Sequence, residues 1–161
     1  MHLHISRPMN IGTNSPALQV WVRMVRAHQR IKSVVDAAFR AEGHPPLEWY
    51  DVLLELERHG KPLRARDLEQ KLLLAQYNLS RLLDRLEKLR LIIRKPDPDD
   101  GRSRLIEISE QGLAIRRKMW PAYKRVIEAS IGHHLATSEI KDLAELLKQI
   151  AVPKRPPSAS T

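Results

Sequence analysis

Polar and cationic side chains follow one another at helical spacing between residues 76 and 88. Asn78 and Ser80 offer an amide and a hydroxyl group, while Arg81 and Arg85 offer guanidinium groups. Such groups exchange hydrogen bonds with base edges and pair with phosphate oxygens. On this pattern alone an ordinary solvated helix surface is the favoured interpretation, and contact with a nucleic acid is the alternative.

A second group of cations surrounds a stretch that is rich in turn-forming residues, 96–101. Arg94 and Lys95 precede this stretch, and Arg102 and Arg104 follow it. The flanking segments 91–95 and 103–108 are rich in β-branched residues, which predicts two strands of a hairpin. Cations would therefore lie on both sides of the hairpin tip, where phosphates could pair with them.

The element that positions the first group is a helix with a leucine stripe. Its leucines recur at spacings of three and four residues, which predicts one buried face: Leu79, Leu82, Leu83, Leu86 and Leu89. A helix that only packs in the core, without a role in binding, shows the same leucine stripe. The distinguishing feature is the order of elements, in which a short helix, a tight turn and this helix precede the charged hairpin.

The composition narrows the classes of function. The chain has 161 residues and a formal charge of +9, and its pI is about 10.2, which points to a polyanionic partner, nucleic acid before membrane surface. It has no cysteine, which excludes disulfides and thiolate metal sites. Neither a membrane span nor a signal peptide is recognised, so we expect a cytoplasmic protein.

Motifs for catalysis or metal binding are not found in the sequence. There is no P-loop, no Gly-x-Ser-x-Gly sequence and no dinucleotide-binding fingerprint. The seven histidines include no HxxxH pair, so we predict no metal site and no cofactor. The protein is therefore predicted not to be an enzyme.

Capping residues and helix breakers divide the chain into one mainly α-helical domain, 15–152, between disordered ends, 1–14 and 153–161. A long helix is predicted over about 16–42, and two helices, the first of them capped by Ser109, are predicted over about 109–152, on either side of a central segment, 46–108. The helix over 16–42 is apolar on more than one side, which predicts a partner surface such as a second subunit.

Four segments resemble the winged helix-turn-helix transcriptional regulators of the MarR family. They are Asp67-Leu68, the run Ser80-Arg81-Leu82-Leu83-Asp84-Arg85-Leu86-Glu87, the wing Asp97-Pro98-Asp99-Asp100-Gly101-Arg102, and Ile108-Ser109-Glu110-Gln111-Gly112. The resemblance covers roughly residues 17–151. It implies a fold that is mainly α, with a small antiparallel β-hairpin wing, and dimerisation helices at both ends of the chain.

The resemblance implies a homodimer that docks two winged domains on a pseudo-palindromic operator in double-stranded DNA. The leucine helix would enter the major groove and the wing the flanking minor groove. The residues expected to contact DNA are Gln76, Tyr77, Asn78, Ser80, Arg81, Arg85, Arg102 and Arg104. Asp100 is expected to orient the guanidinium group of Arg102 through a charge-assisted bond.

Members of this family often bind small aromatic or anionic effectors in a crevice between the dimerisation helices and the DNA-binding lobe. The candidate lining residues here are Trp21, Arg23, Arg26, His28, Trp49, Tyr50, Asp51 and Trp120. In this hypothesis the tryptophans stack on a ring, and Arg23 or Arg26 pairs with a carboxylate. The alternative is that the tryptophans are core or interface anchors.

One position departs from the family pattern. Where a glycine commonly follows the recognition helix, this chain has Arg90. A left-handed residue at that helix end costs more for arginine than for glycine, so the helix is expected to end differently.

These observations predict a ligand-responsive, homodimeric repressor that binds a specific operator. Two alternatives remain: a winged-helix module that binds an acidic protein, and a constitutive or architectural DNA-binding protein without an effector. The operator, the effector, the regulated genes and the direction of regulation do not follow from the sequence.

Overall fold

The computed structural model describes residues 15–72 and 78–151. The ends that were predicted to be disordered lie outside these ranges. Gln76 and Tyr77, two of the predicted DNA-contacting residues, lie outside them as well. The elements in chain order are α1 (Pro16–Ala41), α2 (Leu47–His59), β1 (Leu63–Arg64), α3 (Ala65–Glu69), α4 (Leu79–Lys88), β2 (Ile92–Asp97), β3 (Asp100–Ile108), α5 (Glu110–Ile127), a π-helical turn (Glu128–Gly132) and α6 (Thr137–Ala151). The prediction of a mainly α fold with an antiparallel wing is confirmed.

The wing is larger than the sequence predicted. Strands β2 and β3 extend the hairpin almost to its tip, so that Asp97 faces Asp100 across a turn formed by Pro98 and Asp99. A third strand, β1, pairs antiparallel with β3 and gives the order β1-β3-β2. The sequence analysis missed β1 because a strand of two residues is too short to show alternation.

Two apolar clusters form the core, and α2 contributes to both. The first lies in the winged lobe, where Val52, Leu53 and Leu56 of α2 meet Leu83 and Leu86 of α4. The second lies between α1, α2 and α5: Val35, Phe39, Leu47, Tyr50, Met119, Ala122 and Val126. Because opposite faces of one helix are buried in different clusters, α2 connects the winged lobe to the two long helices.

The leucine stripe is buried for most of its length. Leu79, Leu83 and Leu86 are buried, Leu82 is partly buried, and Leu89 is 47% exposed. The expectation that Leu89 continues the buried face is wrong because the helix ends at Lys88, one residue before it.

The end of α4 is a Schellman motif that is built on an arginine. Leu91 N–H donates to the carbonyl group of Leu86 at 2.9 Å, and Arg90 N–H donates to that of Glu87 at 2.8 Å. Arg90 has φ 59°. The expectation that the helix would end differently without glycine is therefore wrong, because the two bonds of the motif hold arginine in the left-handed conformation.

Helix α5 begins with the predicted cap. The Ser109 hydroxyl accepts a hydrogen bond from Gly112 N–H at 3.0 Å, and the helix continues through Pro121 to Ile127. Helix α6 begins after Ala136, whose N–H donates to Glu139 at 2.7 Å. This is the backward bond of a capping box, made without a hydroxyl residue at the cap.

Candidate nucleic-acid interface and effector cavity

The amino end of α4 is held by its own cap and is exposed beyond it. The Asn78 side chain accepts a hydrogen bond from Arg81 N–H at 3.2 Å, which fixes the first turn of the helix. Asn78, Ser80, Arg81 and Arg85 are all exposed. Four of the predicted DNA-contacting residues therefore lie on the open face of α4, with the leucine stripe buried behind them.

A groove of about 790 Å³ separates the start of α4 from the wing. Its apolar floor comes from Leu79, Leu83 and Ile106, and its polar lining includes Asn78 and Ser80. Five arginines line it: Arg64, Arg66, Arg94, Arg102 and Arg104. Such a concentration of guanidinium groups makes a cleft suited to phosphate.

The prediction from sequence found only part of this groove. Arg102 and Arg104 line it as predicted, whereas Arg81 and Arg85 are not among its lining residues. Arg64 and Arg66 were missed because β1 and α3 bring them there from a segment without the periodicity of a recognition helix. Pairing of β1 with β3 is the structural reason for their position.

Arg94 joins the recognition helix to the wing. Its guanidinium group lies 2.7 Å from the Asp84 carboxylate and 3.3 Å from that of Glu87, both on α4. The side chain of Arg94 is only 18% exposed. The charge of Arg94 is thus largely balanced within the protein, which leaves it a bracing role between helix and strand.

Asp100 organises the turn by its bonds to backbone and hydroxyl groups. Its carboxylate accepts from Arg102 N–H at 3.0 Å and from the Ser103 hydroxyl at 2.6 Å. These bonds lower the pKa of Asp100, with the Ser103 bond the larger cause. In place of the expected bond to the Arg102 guanidinium group, Asp100 accepts a bond from the Arg102 backbone N–H. The chain reverses its direction here, and this places the N–H group next to the carboxylate.

Arg85 is held against an aromatic ring. Its guanidinium carbon lies 5.4 Å from the centroid of the Trp49 ring, within the range of a cation–π contact. Trp49 is itself partly buried against the core of the winged lobe. This tryptophan therefore supports α4 and is not among the lining residues of the cavity described next.

A separate cavity of about 290 Å³ lies between α1, α2 and α5. Its lining is mainly apolar with a few polar groups: His28, Ile31, Lys32, Val35, Leu47, Tyr50, Asp51, Leu54, Tyr123 and Ile127. His28, Tyr50 and Asp51 were predicted to line such a crevice. Lys32 and Tyr123 were not predicted to line it. The only signal for them in the sequence was their helical spacing from other core residues.

The remaining predicted effector residues lie elsewhere. Trp21 is 62% exposed on the first half of α1, Trp49 contacts Arg85, and Trp120 stacks on Tyr123 with centroids 6.1 Å apart. Arg23 and Arg26 are exposed on α1 and are not among the lining residues. Only Lys32 among the cations of α1 reaches this cavity, and it pairs with Asp36 at 2.7 Å.

Two tyrosines form one wall of the cavity. The rings of Tyr50 and Tyr123 stack with centroids 4.5 Å apart. Burial raises the pKa of Tyr50 to about 12, the neighbouring Tyr123 adds to the rise, and Arg116 opposes it. Burial also raises the pKa of Tyr123. Both phenols are therefore neutral at physiological pH, and their ring faces suit an aromatic ligand.

A charged pair lies behind Tyr50 and connects α2 to α5. Arg116 forms an ion pair with Glu57, and both side chains are largely buried. Arg117 lies 4.0 Å from the same Glu57 carboxylate. These contacts therefore connect the winged lobe to a long helix.

A recognition helix, an arginine-lined groove and a three-stranded wing define the chain as a winged helix-turn-helix protein. Comparison with known proteins agrees: a family model described as MarR family matches residues 44–103. Over these residues the chain resembles the MarR family, and the curated relatives that it matches are named as transcriptional regulators.

Two curated relatives illustrate the similarity. The HTH-type transcriptional regulator MhqR of Bacillus subtilis is 26% identical over 136 residues, which cover 84% of this chain and 92% of MhqR. The HTH-type transcriptional repressor NicR of Pseudomonas putida is 30% identical over 98 residues, 61% of each chain.

Solved structures share the fold. Sco3205, a MarR family transcriptional regulator from Streptomyces coelicolor in complex with DNA, matches with a TM-score of 0.74 and 22% identity, covering 91% of this chain and 92% of its own. The C80S mutant of MarR from E. coli complexed with operator DNA matches with a TM-score of 0.72 and 20% identity, covering 89% and 99%. Within residues 15–72 and 78–151, no helix has the length and apolar character needed to cross a bilayer.

Proposed function

We propose that this protein is a homodimeric, effector-responsive repressor that binds a pseudo-palindromic operator through α4 and the wing. The observation that carries the proposal is the arginine-lined groove between the open face of α4 and β3. A duplex that receives α4 in its major groove would meet the wing arginines in the adjoining minor groove. There the enhanced negative potential favours arginine.

Dimerisation is supported by apolar side chains that this single chain leaves uncovered. On α6, Leu146 is 57% exposed and Ile150 is 64% exposed, while Leu18 and Trp21 are exposed on α1. A second copy would bury these faces and place two recognition helices on successive turns of DNA, about 34 Å apart. Leu146→Glu and Ile150→Glu should convert a sedimenting dimer to a monomer, whereas Lys141→Glu, an exposed change on the same helix, should not.

The DNA-binding proposal is tested by selecting duplexes from a random-sequence pool and following the affinity of the recovered site against salt. Enrichment of an inverted repeat with a steep salt slope would support a dimeric operator-binding regulator. Salt-dependent binding without enrichment would indicate an architectural protein, and no binding would favour a protein-interaction module.

The effector proposal rests on the cavity beside Tyr50 and Tyr123. An aromatic ring fits between apolar residues and these phenols, and Lys32 would pair with a carboxylate on the ring. Binding there would alter the spacing of the two recognition helices by shifting the population of dimer conformations. Relief of repression is favoured as the outcome because the relative NicR is named a transcriptional repressor.

Benzoic and hydroxybenzoic acids are the probes for this effector. They should raise the thermal midpoint and release the selected duplex, and Lys32→Gln should abolish both effects. Arg23→Gln removes a cation from the same helix outside the cavity and should leave both effects intact. Equal loss in the two variants, or no response of the unmodified protein, would contradict an aromatic-acid effector.

A further inference from the structure

One side of the groove between α4 and the β2–β3 hairpin is formed by a residue of β1, the short third strand of the sheet. Arg64, the last residue of β1, lies at the amino end of α3 and lines the groove together with Ser80, Arg102 and Arg104. Its place in the groove depends on the pairing of Arg64 with Leu105 in the sheet.

Arg64 is attached to the wing by a largely buried carboxylate. Its Nε–H donates to Asp97 Oδ2 at 2.6 Å across 33 residues of chain. The Asp97 side chain is 2% exposed, while that of Arg64 is 37% exposed. The other oxygen of Asp97 accepts from Asp99 N–H at 2.9 Å, so the carboxylate is fixed to the turn at the same time.

This bond leaves most of the guanidinium group available. A guanidinium group has five N–H donors, and the bond to Asp97 uses the one on Nε. Within the described residues, the Nε bond to Asp97 is the ion pair that Arg64 makes, and the residue lines the groove, so its two terminal amino groups are the donors that a ligand in the groove could use. Arginine can thus hold one carboxylate through Nε while it offers a fork of donors to a second anion.

The path of a bound duplex indicates what that second anion is. If α4 enters a major groove and Arg102 enters the next minor groove, the strand that separates these two grooves must cross the cleft between helix and wing. That strand presents phosphates, which are contacted to set register and orientation. Arg64 lines this cleft without lying on the face of α4 that would read bases.

We infer that Arg64 is a phosphate ligand for the DNA strand that crosses this groove, and that Asp97 is the positioning residue that holds it there. The inference rests on the proposed function and adds to it a contact made by β1. The Arg64–Asp97 pair also connects the start of α3 to the wing, so that both would contact the DNA strand together. A lysine at position 64 would supply the charge as a single point and could not serve both anions equally.

The primary test compares the salt dependence of binding to the selected duplex for the full-length protein and Arg64→Gln. Loss of one phosphate contact per subunit should reduce the slope of log K against log salt by about 2 in a dimer. Arg125→Gln is the matched control. Arg125 also forms a partly exposed ion pair, with Glu42, but this pair lies away from the groove. It should leave the slope unchanged.

A second variant separates the contact from folding and from net charge. Arg64→Gln combined with Asp97→Asn removes the unpaired carboxylate that Arg64→Gln alone would leave, and its net charge equals that of the unmodified protein. We expect it to fold, as judged by a cooperative thermal transition, and to keep the reduced slope. A slope equal to that of the unmodified protein would overturn the phosphate contact.

Asp97→Asn by itself tests positioning. The cation remains, so the slope should not fall, but affinity should drop about tenfold because a charge-assisted bond no longer fixes Arg64. Unchanged affinity in this folded variant would overturn the positioning role. If the unmodified protein bound no duplex, the proposed function would fail as well; if it bound and Arg64→Gln matched it in slope, this inference alone would fail.

Discussion

The hydroxyl group of Ser109 donates a hydrogen bond to the carbonyl oxygen of Arg90 at 2.7 Å. Ser109 caps α5, and Arg90 is the left-handed residue that ends α4. A further bond runs from Ser109 N–H to the carbonyl group of Leu91 at 3.1 Å. The end of α4 is therefore attached directly to the start of the long helix α5.

Ser109→Ala should lower the free energy of unfolding by about 1 kcal/mol, the usual effect of losing a helix cap. The substitution removes both the bond to Gly112 N–H and the bond to Arg90. Urea denaturation of the purified protein measures the change. Ser109→Thr keeps a hydroxyl group and should retain most of the stability, so equal losses in the two variants would contradict the role of the hydroxyl.

Arg90→Gly should raise the free energy of unfolding by about 1 kcal/mol, because a left-handed backbone is costly for any residue with a β-carbon. The conformation at φ 59° is retained by the Schellman bonds and does not depend on the arginine side chain. The denaturation midpoint should rise at unchanged slope. Arg90→Ala keeps the β-carbon and serves as the control; a similar gain in that variant would show that the arginine charge was responsible.

Gly112→Ala should destabilise the protein by about 3 kcal/mol, at the upper end of the cost of overpacking. A β-carbon at this position would lie 2.1 Å from the carbonyl oxygen of Leu91 and 2.9 Å from Ile108 Cγ1. The Leu91 backbone and the Ile108 side chain must both move to admit it. Gly132→Ala has nothing within 4 Å of the added carbon, and its thermal midpoint should equal or exceed that of the unmodified protein.

The stability that Asp97 contributes should be lost at acid pH. The hydrogen bond from Arg64 is the main cause that lowers the pKa of Asp97 in the folded protein. A lowered pKa means that the contribution is present above the ordinary carboxyl pKa, about 4, and disappears as pH falls through the folded value.

This pH dependence can be measured from urea midpoints between pH 7 and pH 3. Asp97→Asn should be less stable than the unmodified protein near neutrality, and the difference should shrink below about pH 4. Glu145→Gln, which removes an exposed carboxylate paired with Lys148, should show no such difference. A constant difference for Asp97→Asn across this range would mean that the ion pair is not its source.

Local signals in the sequence were enough for the order of the helices and the position of the hairpin. Proline at the start of α1, Ser109 at the start of α5 and the leucine spacing of α4 act through bonds and contacts within a few residues, so each can be recognised without knowledge of the rest. The charged turn between β2 and β3 was predicted on the same basis. These signals were sufficient for the winged helix-turn-helix prediction.

Contacts between distant segments decided the details of both sites. Arg64 meets Asp97 only because β1 pairs with β3, and a strand of two residues carries no pattern that could predict the pairing. Likewise, Tyr123 and Lys32 line the cavity while Trp21 does not, since the packing of α1 against α5 determines which helical faces are enclosed.

The sequence by itself determined the helices, the basic recognition face and the wing, since each depends on interactions between near neighbours along the chain. Tertiary structure decided which arginines share the groove, which aromatic rings enclose the cavity and how the end of α4 is attached to α5. The physical reason is that these features arise from hydrogen bonds and packing between residues far apart in sequence, as with Ser109 and Arg90. Their free energies appear only when the elements have come together.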